Sequence, residues 1–496
     1  MTYRLEPFAD AGLTTASLAA AIDRHQRDEL PRLQRLWTYY RNPMTLSRPA
    51  ARDARPYRLG QEVGLPARIV GRDALNLDDR AGRAERVVEN DIAWRIQAMV
   101  DFLLGKPVGF VSTARDPSLR DIIDRVLDHV WERSGGIALL QDMALLGQVY
   151  GHVDLLLRID DDALRAGAPG ASLLDRALRA ADGLRVETVE PRRGLAFVNP
   201  RDYRELSAYA IRYERESDEE PTIVDRVLSR VLGGPGPSRR RVEVLELVSA
   251  NAHHVYEDGR PVWEREGSPT GGEIPVVHVQ NIAEPFAYSG LSEVEALIPL
   301  QDELNTRLSD RACRVTLQSF KMYLAKGLDG FEKGPVGPGQ VWSTSNPHAS
   351  IESFGGDAES PSEESHIKEI REALDKVSGV PPLAGGVVQG RIGNLSSANA
   401  LRVTLMGVLS KTARKRITYG RGISRMCGLI MAALDHSGAL PTSPADRGVR
   451  LNWPDPLPED LHDQVLAAKT KSELGVPGER VLEELGYTPT DAGVTG

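Results

Sequence analysis

Apolar residues recur at helical spacing near both ends of the chain and alternate as in strands between them. Four helices are predicted first, covering residues 15–41, 89–107, 117–135 and 135–151. Pro31 is expected to kink the first of them. Short β-like runs broken by Gly, Pro, Asn and Asp then occupy residues 151–280, with a hairpin turn at Asp258–Gly259. The pattern predicts an α+β chain that is mainly helical.

Helical spacing returns at residue 291. Ser292 and Glu295 have the spacing of a capping box, and Pro299 either kinks the first turns or marks the true start. The apolar stripe of this helix consists of Leu297, Leu300, Leu304, Leu308, Ala312 and Val315. Such a stripe indicates a helix that packs against another surface.

Charged residues lie on the other side of the same helix. Glu303 precedes Arg307 by four residues, and Asp310 precedes Arg314 by four. Pairs at this spacing face each other on a helix and form ion pairs. The helix is therefore predicted to have one apolar and one charged face.

A second helix with clear boundaries is predicted at residues 361–378. Ser360 stands at the N-cap, Pro361 at the first helical position, and Glu363 closes a capping box. Gly379 and Pro381 stop the helix. Its apolar stripe consists of Ile367, Ile370, Leu374 and Val377.

Two segments rich in Gly and Pro flank this helix. Residues 320–359 contain two short strand candidates, and residues 379–396 form a loop before a long helix at about 397–435. A glycine-rich loop between strong helices is either a flexible linker or a segment that changes shape against a moving partner. In the second interpretation, Gln389 and Arg391 are the polar members able to touch a phosphate backbone.

The long helix carries only basic charges between residues 391 and 434. At 100° per residue one side bears Lys411, Arg414, Lys415, Arg421 and Arg425. This basic stripe is either a solvated or intramolecularly paired face, or a surface that contacts phosphate or an acidic neighbouring subunit.

Composition sets limits on the class of protein. The chain has 496 residues, of which 41% are hydrophobic and 26% charged, with a net charge of −9. That length predicts two to four structural units, and the negative charge argues against simple electrostatic coating of nucleic acid. Two cysteines, Cys313 and Cys427, favour a reducing compartment over a disulfide framework. Neither a signal peptide nor a membrane-spanning run is expected.

Motifs of catalysis are not found in the sequence. It has no G-x-x-x-x-G-K-[ST], G-x-S-x-G or H-E-x-x-H pattern. His253 and His254 are adjacent, and no cysteine lies near them to suggest a metal site, so they are interpreted as surface or edge-strand residues. We therefore expect neither an enzyme nor a cofactor.

Several phrases together resemble the portal proteins of tailed double-stranded DNA phages of the siphovirus type. They are "LQRLWTYYRNP", "VDFLLGKPVGF", "IPVVHVQN" followed by "SGLSEVEALIPLQDELNTRLSD", and the C-terminal "WPDPLPED" with "SELGVPGERVLEELGY". The strand-to-helix junction at residues 274–310 is the most specific of these.

The resemblance implies a wing, stem, clip and crown architecture that assembles into a cyclic ring of roughly a dozen copies with a central channel. The implied domains are the wing at 1–288, stem helix 1 at 289–319, the clip at 320–360, stem helix 2 at 361–378, the channel loop at 379–396, a long wing and crown helix at 397–436, and the crown at 437–496. Stem contacts between subunits would use Glu303, Arg307, Asp310 and Arg314. DNA would face Gly385, Gly386, Gln389, Gly390, Arg391 and Gly393 of the channel loop.

The partners follow from the same resemblance. They are other copies of the chain, double-stranded DNA in the channel, the large terminase, a head-completion or adaptor protein, and the major capsid and scaffolding proteins, with no membrane. The protein would reside in the virion at the portal vertex and in the host cytoplasm during assembly. The alternative is a cytosolic nucleic-acid-binding or scaffold protein that uses the basic helix at 397–435 as a monomer or dimer.

Overall fold

The computed structural model describes most of the chain. The described residues are 3–42, 87–165, 172–216, 241–319, 322–326, 345–354, 361–385, 398–457, 461–475, 478 and 481. The chain divides into unit 1, with residues 1–37, 94–294 and 379–496, and unit 2, with residues 38–93 and 295–378. The chain therefore leaves unit 1 after Trp37 and again after Val294, and it returns to unit 1 at Trp94 and at Gly379.

Five N-terminal helices lie close to their predicted positions, namely α1 (Thr15–Arg24), α2 (Leu30–Arg41), α3 (Asp91–Leu104), α4 (Pro117–Arg133) and α5 (Gly136–Tyr150). Two short helices that were not predicted, α6 (Asp161–Arg165) and α7 (Leu173–Ala181), lie in the region predicted as β-like runs. A π-helical turn, His25–Glu29, separates α1 from α2. This turn ends two residues before Pro31. A proline has no backbone N–H and cannot donate to the carbonyl four residues earlier, which disturbs the helix at this point. The disturbance expected at Pro31 thus takes the form of this turn.

Antiparallel sheets form the β part of unit 1. A five-stranded sheet has the order β4-β5-β6-β7-β8 and contains β4 (Gly194–Asn199), β5 (Asp202–Glu216), β6 (Arg241–Ser249), β7 (Ala252–Glu257) and β8 (Arg260–Glu266). A three-stranded sheet has the order β3-β2-β9 and contains β2 (His152–Ile159), β3 (Leu184–Val189) and β9 (Val276–Gln280). The predicted hairpin joins β7 to β8, and both turn residues have positive φ, 46° at Asp258 and 79° at Gly259. These angles suit the right-handed twist of the strands.

The interpretation of the histidine pair on β7 as surface residues is wrong. β7 lies inside the sheet between β6 and β8, and both His253 and His254 are buried. The Nε2 of His253 lies 2.5 Å from a carboxylate oxygen of Glu246. A buried polar ring needs such a partner, which the sequence spacing alone does not indicate.

The described residues of unit 2 beyond Val294 include two helices and a ribbon of two strands. They are α8 (Ile298–Ser319), β10 (Met322–Lys326), β11 (Ser350–Phe354) and α9 (Pro361–Ser378). The two helices pack against each other, and β10 and β11 pair antiparallel. The buried members of the two predicted stripes are Leu297, Leu304, Leu308, Ile367, Ile370 and Leu374. Pro299 marks the start of α8, since it is the second residue of that helix.

The C-terminal part of unit 1 is built around one long helix. The remaining elements are α10 (Ala398–Thr404), α11 (Met406–His436), β12 (Val449–Asn452), which pairs with β1 (Gly109–Ser112), and α12 (Leu461–Glu473). The helix predicted at 397–435 is therefore broken at Leu405, whose backbone leaves helical geometry at φ −94° and ψ 9°. The second half of α11 belongs to the main core, where Tyr419, Ile423, Met426 and Cys427 are fully buried. In the described part of the chain, no helix is long and apolar enough to cross a membrane.

Candidate functional site

The charged face of α8 pairs partly within the helix and partly with α9. The Nε of Arg307 donates to Glu303 at 2.7 Å, as its spacing predicts, and its Nη1 donates to Asp310 at 3.0 Å. Arg314 instead donates to the carboxylate of Glu363, the third residue of α9. Of the four predicted stem residues, Arg314 thus joins the two helices of one chain.

A row of buried polar side chains on α8 was not predicted. Gln301, Asn305 and Ser309 stand four residues apart and bind the backbone of residues 87–92. The Asn305 carbonyl oxygen accepts from the Glu89 N–H at 2.9 Å, and the Ser309 hydroxyl accepts from the Val87 N–H at 2.9 Å. These side-chain amides and this hydroxyl give hydrogen-bond partners to backbone N–H and C=O groups that would otherwise be buried without them. The only signal in the sequence was the regular spacing of three polar residues beside the apolar stripe.

The channel loop predicted at 379–396 is described only in its first part. Gly386, Gln389, Gly390, Arg391 and Gly393 lie outside the described residues. Gly385 ends a 3₁₀ turn, Pro382–Gly385, and is exposed. The start of the segment is held in unit 1, because the Arg95 guanidinium donates to the Val380 carbonyl at 2.5 Å and Val380 packs with Val408.

The basic stripe predicted on the long helix is not one exposed surface. Lys415 is 0% exposed and Lys411 is 11% exposed, so neither faces solvent. Arg425 pairs with Glu273 at 2.7 Å. Arg414 and Arg421 are exposed. Intramolecular pairing, one of the two interpretations of the stripe, therefore applies to Lys411, Lys415 and Arg425.

Both buried lysines face one buried carboxylate, that of Glu293. The Lys411 Nζ lies 2.5 Å from Oε2 and the Lys415 Nζ lies 2.9 Å from Oε1. The two ammonium groups hold the pKa of Glu293 below its ordinary value, although burial alone would raise it. Burial lowers the pKa of Lys415 to about 8, and Glu293 only partly opposes this. This cluster, Glu293 with Lys411 and Lys415, is called the charge cluster below.

The junction between β9 and α8 is fixed by close backbone contacts. A Cβ at Gly290 would lie 2.7 Å from the Gly151 carbonyl oxygen, and a Cβ at Gly151 would overlap the Gly290 carbonyl. Asn281 donates to the Leu291 carbonyl at 3.1 Å and accepts from the Tyr419 hydroxyl at 3.1 Å. The most specific phrase of the resemblance therefore covers the segment that follows β9. This segment is held by contacts with the end of α5 and with α11.

A second buried polar network lies beside this junction. The Asp154 carboxylate accepts hydrogen bonds from the hydroxyls of Tyr209 at 2.6 Å and Tyr288 at 2.7 Å, and lies 2.7 Å from the Nδ1 of His278. The Nε2 of His278 lies 2.6 Å from the Tyr288 carbonyl oxygen. The network ties Tyr288, in the segment after β9, to β2 and β5.

Among the described residues, no group of three or more His, Cys, Asp or Glu side chains could hold a metal ion. The described residues form an α+β unit and a unit of two packed helices with a two-stranded ribbon.

Comparison with known families finds one similar family. The family model for "Phage portal protein, SPP1 Gp6-like" matches residues 250–487, which include the junction, both helices of unit 2 and α11. Over these residues the chain is thus similar to phage portal proteins, in agreement with the resemblance recognised in the sequence. Comparison with curated protein sequences finds no match.

Solved structures with similar chains come from gene transfer agent (GTA) particles. One, the neck of an empty GTA particle computed with C6 symmetry, has 13% identity and a TM-score of 0.41, and the alignment covers 80% of this chain and 89% of that chain. Another, the virion of a native GTA particle, has 14% identity and a TM-score of 0.39, with the same coverage of 80% and 89%.

Proposed function

We propose that the chain assembles into a closed ring of roughly a dozen copies at one capsid vertex, and that DNA passes through the ring during packaging and ejection. The family match over residues 250–487 is the observation that carries this proposal. The ring would be part of the virion, after assembly in the host cytoplasm. Its role would be structural rather than enzymatic, with the energy for packaging supplied by a separate terminase.

The domains follow the order in which the chain crosses between its units. Unit 2 would supply the stem, through α8 and α9, and the clip, through the segment that contains β10 and β11. Unit 1 would supply the wing and the crown. The clip would dock the terminase and later the head-completion protein, and the outer surface would meet the capsid and scaffolding proteins.

Contacts between subunits in the stem would use the charged face of α8. Glu303, Arg307 and Asp310 are partly exposed, with side-chain exposures of 38%, 30% and 50%. A face of mixed charge can pair with a different face of the next copy, and a heterologous contact of this kind gives a ring when its rotation closes. Arg314 would act mainly within the chain, because it already pairs with Glu363.

DNA contacts would come from the channel loop and from two arginines of the basic stripe that are exposed. Gln389 and Arg391 are the polar members of the loop, and Arg414 and Arg421 are exposed on α11. Few such contacts, in a protein with a net charge of −9, would let DNA slide without holding it tightly.

The test is native mass spectrometry with negative-stain microscopy of the purified protein without DNA. We expect rings with a central hole for the wild type and loss of rings for Arg307→Glu. Arg204→Glu is the control, because Arg204 is an exposed arginine of unit 1 that pairs with nearby Asp202. A wild type that remains a monomer or dimer at high concentration would contradict the ring and favour the nucleic-acid-binding alternative.

A further inference from the structure

One loop of unit 1 holds an aromatic side chain in solvent. Phe286, which lies in the segment after β9, is 88% exposed. Its φ is +63°, a backbone conformation that bulky residues rarely adopt. A residue keeps such a strained conformation only where the surrounding structure imposes it. The loop therefore presents this ring on the outside of unit 1.

A cavity of the same unit can accommodate a side chain of this kind. Its volume is about 380 Å³, and its apolar lining includes Ile159 of β2, Val255 of β7 and Trp263 of β8. Trp263 is 43% exposed, and the ring of His253 packs edge-on against it with 4.8 Å between the centroids. A tryptophan that is fixed in place in a pocket is a common anchor for an aromatic partner. This space is called the Trp263 cavity below.

Opposite charges accompany the loop and the cavity. Glu284 stands two residues before Phe286, and the exposed Arg185 lines the Trp263 cavity. Neither of these two charges forms an ion pair with another described residue. The other charged residues of the lining have partners within the chain: Arg158 pairs with Glu187, Asp182 pairs with Arg133, and Asp160 caps the start of α6. A glutamate arriving with the aromatic ring would therefore find one arginine available.

The loop and the cavity lie at opposite ends of β2. The loop follows Gln280, which pairs with His152 at the start of β2, and Tyr288 binds Asp154 near the same end. Ile159 of the cavity lining is the last residue of this strand of eight residues. The two ends are about 23 Å apart at about 3.3 Å per residue. Two complementary features on different sides of one protomer are suited to a heterologous contact between copies.

We propose that the Phe286 ring of one copy inserts into the Trp263 cavity of the next copy, with Glu284 beside the Arg185 of that copy. Each copy carries both features, so the contact repeats head to tail and gives a ring when its rotation closes. The inference rests on the proposed ring and names a contact within it that is made by unit 1.

The test is native mass spectrometry of the full chain without DNA. Phe286→Asn removes the ring and suits the backbone, because asparagine adopts a positive φ more readily than most residues. We expect the fraction of protein in closed rings to fall about tenfold or more at a fixed concentration, since a buried aromatic anchor dominates such a contact. Phe286→Leu is the matched control, which keeps an apolar side chain and should keep the rings. Thermal unfolding of Phe286→Asn should match the wild type, because the side chain is exposed in the single chain.

Charge reversal tests the pairing of the two features directly. Glu284→Arg and Arg185→Glu should each reduce the rings, and the double variant should restore them, because the two side chains meet only between copies. Rings that persist in Phe286→Asn, or single reversals that the double variant does not rescue, would overturn this contact and leave the ring itself standing. A wild type without rings would contradict both proposals, so the two failures are distinguishable.

Discussion

Arg314 on α8 donates a hydrogen bond to the Glu363 carboxylate on α9, and this pair ties the two helices of unit 2. Both side chains are mostly buried, so removal of one leaves the other charge poorly solvated. We expect Arg314→Ala to destabilise the packing of α8 on α9 by about 1–2 kcal/mol. Native-state hydrogen exchange of the α9 amides measures this loss.

Arg307→Ala is the control for that experiment. Arg307 pairs within its own helix at greater exposure, and such pairs contribute about 0.3–0.5 kcal/mol. Equal losses of protection in the two variants would mean that the pair between the helices adds nothing beyond a surface contact.

Secondary structure was largely predictable from the sequence because its signals are local. The helix start at Pro361, the Asp258–Gly259 hairpin and the proline at position 299 each set a boundary through backbone geometry that neighbouring residues dictate. The break at Leu405 was missed, because no Gly or Pro marks it and the leucine is held there by burial.

The candidate site was less predictable, because its charges find partners far away in the chain. From the sequence, Lys415 belongs to a stripe of basic residues on one helix face. Its partner Glu293 stands 122 positions earlier, and nothing in the sequence indicates that the two side chains meet. The buried pair of His253 and Glu246 shows the same limit over a shorter separation. Helical spacing reports which residues share a face, whereas burial depends on the tertiary fold.

Gly151 should be among the least replaceable residues of the junction. Its φ is +94°, and a Cβ would overlap the Gly290 carbonyl oxygen. Gly151→Ala is therefore expected to destabilise unit 1 by about 3 kcal/mol or more, since strain and a backbone clash add. Thermal unfolding of the soluble variant, or its failure to accumulate, reports the effect.

Gly271→Ala provides the comparison for Gly151→Ala. Gly271 also has a positive φ, +70°, but a Cβ there would meet nothing within 4 Å. It should cost about 1 kcal/mol from backbone conformation alone. Similar losses at the two positions would show that the close approach of Gly151 to Gly290 does not matter.

The charge cluster predicts a rise in stability at alkaline pH. The pKa of Lys415 is lowered from 10.5 to about 8 in the folded protein, so between these values the unfolded chain binds the proton and the folded chain does not. The free energy of unfolding should therefore increase as pH is raised from about 8 toward 10.5. Urea titrations at pH 7.5 and 10 measure the change.

Lys415→Met isolates that contribution. The variant keeps the pair between Glu293 and Lys411 and loses the second buried ammonium group. We expect it to be more stable than the wild type at pH 7.5, with a difference that shrinks by pH 10. A difference that is the same at both values would contradict a Lys415 that titrates within this window.

His152 predicts a separate loss of stability in acid. Its pKa is lowered from 6.5 to about 4, chiefly by burial, and Asp154 opposes this while His278 and Arg32 add to it. Between these values the unfolded chain gains a proton that the folded chain does not accept, so stability falls as pH falls from about 6.5 to 4. The shift corresponds to about 3 kcal/mol at most.

Urea titrations at pH 7, 5.5 and 4.5 should show this fall in stability in the wild type and a smaller fall in His152→Gln. The control is His348→Gln, at an exposed histidine, which should keep the wild-type fall. An unchanged slope in His152→Gln would assign the acid sensitivity to other groups.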